Sequence, residues 1–457
     1  MSLSDGFGYL KQGLVTGLGG FGLGGEMDPA ISFLSFNQDA SSLTLGTEDG
    51  YKIYSLTSTD KLDLVYSNQE KEVFIAERLF SSSLVAVVTM DNPRTLIVSH
   101  FKKGSEICRY SYNERIQGVR MNRGRLVVCL EDSLFIHNIR DMKVLHVIRE
   151  TPPNPRGLFA LSTDSDNNYL AYPGHSTIGE LQIFDTVNLY SRVSIPAHEG
   201  QLAAMQFSPS GNRIATASDK GTVIRVFNCE NGSKLYELRR GLKRTATIYS
   251  LAFSPCGSFL ACSSNTETVH VFRMEEKTTD PAPLCGSPSE DLFGYIHQFV
   301  SAGAVLLPTQ MTDTLMQGRA FASVHHTLTG VNRCALVSIR NSVRLLLASQ
   351  DGRLYIYNLD HKEGGDCSLI QQFQLIDQDN QILGLEDGLQ DLNPASPSGS
   401  SSCSSSSPSS TTYADRLKNK ANSEMTDSDK FHEMESATET PPTQCFLLDD
   451  DREFPPV

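Results

Sequence analysis

Two adjacent arginines, Arg239 and Arg240, close the run Lys234-Leu235-Tyr236-Glu237-Leu238-Arg239-Arg240-Gly241. The residues before them read as a strand, in which successive side chains point to opposite faces. Neighbouring guanidinium groups at such a strand end point apart, so they suit two separate anion sites, one on each side of the strand. The planar guanidinium fork donates two parallel hydrogen bonds and is a natural clamp for phosphate. Gly241 is expected to let the backbone turn sharply after them. The bland alternative is a solvated pair that only ends a strand. No other residue group offers more chemistry. The ten cysteines include no Cys-x-x-Cys pair and no cysteine/histidine cluster at zinc spacing. No nucleophile–histidine–acid set and no glycine-rich nucleotide loop is evident, and His175, after Pro173-Gly174, reads as a loop residue. A binding protein is therefore expected, not an enzyme, with no cofactor and no metal.

The elements that must position these arginines recur along the chain. One unit runs Ala204–Phe207, Ser210-Gly211-Asn212, Arg213–Ser218, the turn Asp219-Lys220-Gly221, then Thr222–Phe227. The next holds Leu251–Phe253, Phe259–Ser264 and Thr268–Phe272, with Phe207 and Phe253 spaced 46 residues apart. An early copy covers Ile31–Phe36, Ser42–Gly46 and Tyr51–Leu56, and a late one Ala335–Ile339, Arg344–Ser349 and Leu354–Tyr357. Weaker copies fill 72–112, 115–149 and 156–195. About seven units of some four short strands each, at a period of 40–46 residues, predict an all-β, seven-bladed β-propeller of WD40 type over residues 28–375. The usual Trp-Asp ending is missing because the chain has no tryptophan; Phe227, Phe272 and Tyr357 take its place.

Charge and composition set the limits around this body. The net charge is −14, and the 16 acidic and 5 basic residues from Ile376 onward account for −11 of it. A nearly neutral body with an acidic tail argues against nucleic-acid binding, which needs a basic footprint. The scattered cysteines fit reduced thiols in a cytoplasmic protein. No secretory signal is evident and no apolar run reaches the ~18 residues of a membrane span. Residues 1–27 are glycine-rich and expected to be flexible. The tail 376–457, with its serine run Ser396–Ser410, is expected to be disordered. The sixth unit carries a long insertion, 275–322, in which Leu292, Tyr295, Ile296, Phe299 and Val300 fall on one helical face. That face either packs on the propeller wall or inserts into a membrane interface. Phe454 and Val457, three apart after acidic residues, resemble a short motif that adds a strand to ubiquitin-like modifiers.

Several stretches in combination resemble one family. Ala215–Phe227, Leu238-Arg239-Arg240-Gly241, Ser263–Phe272, Arg78–Ser83, Phe101–Gly104, His137–Lys143, Glu150–Pro155 and Gln317–Phe321 together look like the PROPPIN family, in particular its WIPI branch. The resemblance covers residues 30–375; the motif usually opens with Phe where this chain has Leu238. It implies binding of phosphatidylinositol 3-phosphate and the 3,5-bisphosphate at two rim sites flanking the fifth blade. By the family's motif, one site would use Arg239 with His198, Ser218, Gly221, Thr222 and Arg225. The other would use Arg240 and Gly241 with Ser264, Thr268 and His270, and Lys243 or Arg244. A histidine beside a dianion has its protonated form favoured, so binding is expected to strengthen toward pH 6. The resemblance further implies a monomer that attaches peripherally to preautophagosomal, phagophore and endosomal membranes. It would recruit a coiled-coil protein of the autophagy conjugation complex, or a lipid-transfer protein, through a basic patch matched here by Lys102, Lys103, Arg123 and Arg125. The competing reading is a propeller that only assembles proteins.

Overall fold

Seven antiparallel sheets of consecutive strands arrange themselves as the blades of a closed ring. The computed structural model describes residues 31–69, 71–241, 244–274, 319–328, 330–340, 342–376 and 425–439. Blade 1 spans residues 31–68, blade 2 73–111, blade 3 118–148, blade 4 160–198, blade 5 202–239, blade 6 248–325 and blade 7 332–374. Innermost strands of successive blades touch around the whole ring, including the strand of blade 7 against that of blade 1. The seven-unit reading of the sequence is therefore the observed architecture.

Burial follows each strand's place in its blade. The second strand lies between neighbouring blades and is apolar on both faces, as in Leu84–Thr89 and Phe259–Ser264, where every residue is buried. The outermost strand faces water, so Ser368–Gln374 is almost wholly exposed. Phe227, Phe272 and Tyr357 are buried at the ends of third strands, where tryptophan would be expected.

Each blade is completed by its own stretch of chain, so the ring closes through side chains. Ile31, Leu43 and Leu45 of blade 1 share one apolar cluster with Leu346, Leu354 and Ile356 of blade 7. The Tyr54 hydroxyl donates to the Leu375 carbonyl at 2.8 Å across the same seam. Blade 6 gains a fifth strand, Gly365–Asp366, which pairs in parallel with its outer strand.

Two expectations are adjusted. The insertion of blade 6 ends before residue 322, because Ala322–His325 forms that blade's outer strand. The expectation of a tail without order does not extend to all of 376–457: Asp427–Thr438 is a helix lying on blade 2. Its serine-rich and acidic surroundings hid a local start signal. The Thr426 side chain accepts from the amide of Asp429, and Asp427 and Asp429 complement the helix N-terminus.

Strand direction alternates within a blade, so the turns between strands 2 and 3 and the connections between blades share one end of the ring. The turns between strands 1 and 2 and between strands 3 and 4 share the other. The expected anion-binding residues all fall at the first end. The insertion of blade 6 leaves from the second.

Candidate functional site

The outer strand of blade 5, Lys234–Arg239, alternates faces as the sequence predicts. Leu238 is buried in a cluster shared with Ile248, Leu260 and Cys262 of blade 6. Glu237 and Arg239 therefore face blade 4, whereas Arg240, two residues after Leu238, faces blade 6. The partners of the two arginines bear this out.

On the blade 4 side, Arg239 Nη2 donates to Glu237 Oε1 at 3.0 Å. The other oxygen of Glu237 accepts from Arg225 Nε at 3.1 Å and Lys234 Nζ at 3.0 Å. Lys234 above all holds the Glu237 carboxyl below the usual carboxylate range; burial opposes this, and Arg225 adds to it. Arg225 also reaches blade 4, where Nη1 donates to the Ala197 carbonyl at 2.7 Å. Beside it, His198 Nε2 and Thr216 Oγ1 lie 3.0 Å apart. Thr216 and Ser218 share this face because Ala215 and Ala217 occupy the opposite one. This half of the rim thus holds three cations around one carboxylate, with the Arg239 side chain 53% exposed.

The blade 6 side is built differently. Arg240 donates from Nε to the Gly221 carbonyl at 2.9 Å, from Nη1 to Thr266 Oγ1 at 3.1 Å and from Nη2 to the Arg244 carbonyl at 2.9 Å. Among the described residues no carboxylate forms an ion pair with it. These hydrogen bonds use three of its five N–H donors among the described residues. Ser264 and Thr266 hydroxyls lie 2.8 Å apart, and Thr268 Oγ1 lies 3.3 Å from His325 Nδ1. The pairing of Thr268 with His325 and of His270 with Ser323 places both histidines near the same edge.

The glycine that shapes this edge is Gly221. It adopts φ +59°, and a β-carbon there would collide with the Ala246 carbonyl oxygen. Its own carbonyl then faces Arg240. Gly241, expected to make a sharp turn, stays outside the conformations reserved for glycine, and a β-carbon there would only touch the Arg244 carbonyl oxygen at 3.9 Å.

Burial sets the protonation of the two histidines in the free protein. Burial, and then the Arg225 cation, pushes the His198 imidazole down to about 4. Burial, followed by Arg240 and His325, does the same to His270. Both are neutral at pH 6 in the free protein, so neither supplies positive charge there.

Sequence reasoning missed Glu237, Thr216, Thr266 and His325. Glu237 lies inside the quoted run and was read only as a strand residue. Thr266 follows Ser264 in a turn. His325 reaches the site only through strand pairing after the insertion, which no local spacing reveals. Lys243 lies outside the described residues, as do Leu292, Tyr295, Ile296, Phe299, Val300, Phe454 and Val457. The base of the insertion is described: Arg273 stacks over Phe321 at 3.9 Å, and the Phe321 amide donates to the Val271 carbonyl at 2.7 Å.

The expected basic patch is split. Lys102 is exposed and Lys103 sits in the adjacent turn. Arg123 lies over the Phe80 ring at 4.2 Å, next to the same end of blade 2. Arg125 instead donates to the Thr186 carbonyl at 2.9 Å and is half-buried, tying blade 3 to blade 4.

The fold is a seven-bladed propeller with two opposed arginine clusters on the rim of blade 5, and no group of metal-ligating side chains occurs among the described residues. Its family follows from comparison. The PROPPIN family model matches residues 30–376, and the chain belongs to that family. It is 54% identical over 358 residues to WD repeat domain phosphoinositide-interacting protein 2 of Gallus gallus, covering 77% of this chain and 81% of the relative. It is 39% identical over 361 residues to Autophagy-related protein 18 of Caenorhabditis elegans, covering 77% of this chain and 87% of the relative. Among solved structures, the complex of KlAtg21 with the coiled-coil of AgAtg16 is similar, with TM-score 0.59 and 25% identity, over 76% of this chain and all of that one. Kluyveromyces lactis Hsv2, at 21% identity and TM-score 0.60, shares the fold over the same proportions.

Proposed function

We propose that this protein is an effector of phosphatidylinositol 3-phosphate and phosphatidylinositol 3,5-bisphosphate that attaches peripherally to autophagic membranes. The observation that carries this reading is the placement of Arg239 and Arg240 on opposite faces of one outer strand, each among its own hydroxyl and histidine neighbours. Phosphate oxygens accept charge-assisted bonds from the guanidiniums, and serine and threonine hydroxyls donate to the remaining oxygens. The phosphoinositide interaction in the relatives' names supports the same ligand class.

Two weak sites on one rigid rim act by avidity: once the first lipid is held, the second sees an effective concentration of roughly millimolar. The insertion of blade 6 adds apolar burial, worth about 25 cal/mol per Å². It leaves the ring from the end opposite the arginines, and a strand of six residues spans about 20 Å. For both to meet one bilayer, the ring stands edge-on with blades 5 and 6 against the membrane. Blades 2 and 3 then face away from the membrane, and Lys102, Lys103 and Arg123 lie on that side, where a coiled-coil partner of the kind held in the KlAtg21 complex would be recruited.

Liposome sedimentation tests the lipid reading. Wild-type protein is expected to sediment with vesicles bearing the 3-phosphate lipid, and the Arg239→Ala/Arg240→Ala double variant to stay in the supernatant. Equal sedimentation of the two would leave a propeller that only assembles proteins.

A further inference from the structure

The tail helix Asp427–Thr438 lies on the surface assigned above to a partner. Its two buried side chains, Met434 and Ala437, are 1% and 0% exposed. They enter the apolar cluster that joins blades 2 and 3, which also contains Phe80, Leu84, Ile107 and Met121. Phe80 carries Arg123 on its ring. The polar contacts fall on the basic patch itself. Glu433 Oε2 lies 3.1 Å from Lys103 Nζ, and its other oxygen accepts from the Ser105 hydroxyl at 2.9 Å. Lys103 Nζ also donates to the Ser436 hydroxyl at 3.1 Å, and the Ser83 amide donates to the Ala437 carbonyl at 3.0 Å.

The helix is thus an acidic segment with a narrow apolar stripe, seated where a basic surface meets an apolar seam. A lone helix of 12 residues is marginal in water. With only two buried anchors, this one is held chiefly because it belongs to the same chain, connected to blade 7 through residues 377–424. Such an occupant excludes a competitor yet leaves without disturbing the propeller, whose strands are complete without it.

We propose that this helix is a built-in occupant of the partner surface: docked, it engages Lys103 and covers the blade 2–blade 3 seam, and an acidic amphipathic helix of a partner binds only by displacing it. The displacement rests on the partner reading given above; the occupancy does not. The partner it fits presents a carboxylate for Lys103, a methionine-sized apolar group at the next position and a small residue three positions after that, the spacing of Glu433, Met434 and Ala437.

The test uses the full chain and its Met434→Asp variant, which changes only the tail. Hydrogen exchange at the Ser83 amide is expected to quicken at least tenfold in the variant, because its acceptor leaves. A labelled peptide of residues 425–439, added in trans, is expected to bind the variant at least tenfold more tightly than wild type. Adding Lys103→Glu to the variant should abolish that gain. Unchanged Ser83 exchange, or equal peptide binding by wild type and variant, overturns the occupancy. Failure of the partner reading shows separately: an Arg123→Glu variant would then still capture the Atg16-type coiled coil of its own organism.

Discussion

The two halves of the rim start from adjacent residues at the end of one strand, but only one of their guanidiniums is offset by a carboxylate. Arg239 is exposed and already paired with Glu237, a carboxylate shared with Arg225 and Lys234. Arg240 is fixed by two carbonyls and one hydroxyl, all neutral. A phosphate arriving at Arg239 competes with an internal anion and must also fix an exposed side chain, which costs about 0.5–1.5 kcal/mol. At Arg240 the guanidinium is oriented beforehand and its charge is not offset by a carboxylate. The comparison teaches that opposed side chains on one strand need not make equivalent sites: what lies across each blade interface decides.

The largest separate effect is therefore expected from Arg240. Its replacement by alanine should weaken binding of a soluble inositol 1,3-bisphosphate at the blade 6 side by roughly 10- to 100-fold, the value of a charge-assisted contact. Arg240→Lys keeps the charge and loses the fork, so it should recover only part of that loss. Arg239→Ala should cost less, because the phosphate there already pays an exchange with Glu237. Titrations that rank Arg239→Ala above Arg240→Ala would reverse the comparison.

A smaller effect, of opposite sign, is expected at the internal anion. Glu237→Gln removes the carboxylate that competes for Arg239 and Arg225. Ion pairs this exposed are worth about 0.2–1 kcal/mol, so affinity on the blade 4 side should rise by roughly 2- to 5-fold. A fall in affinity would mean that Glu237 serves to aim Arg225 and not to compete with the ligand.

The smallest effect is expected from pH. With both histidines held down to about 4, each stays neutral between pH 7.5 and 6 in the free protein. Phosphate itself loses part of its second charge near pH 6. Headgroup affinity should thus stay flat or weaken over that range, and His198→Gln or His270→Gln should leave the profile unchanged. A several-fold strengthening by pH 6 that disappears in those variants would show that ligand binding recharges the imidazoles. For stability the sign is fixed by the lowered values: the unfolded chain takes up these protons first, so stability is lost as pH falls from about 6.5 toward 4.

Most of the fold was legible because each blade repeats one local grammar. The strands Arg213–Ser218 and Phe259–Ser264, the intervening turns and the aromatic endings at Phe227 and Phe272 all announce themselves within a short window. The opposed arginines were legible for the same reason, since alternation is a property of one strand. The rest depends on contacts across the ring. His325 joins Thr268 after a long insertion, and Thr266 reaches Arg240 across a blade interface. Lys103 meets Glu433 from 330 positions away along the chain. The lowered pKa of the free imidazoles was not legible because a sequence shows a histidine and not its desolvation. The tail helix was hidden because averaging over a serine-rich, acidic stretch dilutes the one turn in which Thr426 caps and Met434 anchors.

The central claim is that neighbouring guanidiniums serve separate headgroup sites. Counting soluble headgroups bound per chain, by titration of wild type and of the single and double arginine variants, tests it directly. Two per wild-type chain, one for either single variant and none for the double variant is the predicted result. One per wild-type chain, lost equally in both single variants, would place the two arginines on a single shared ligand and contradict the account.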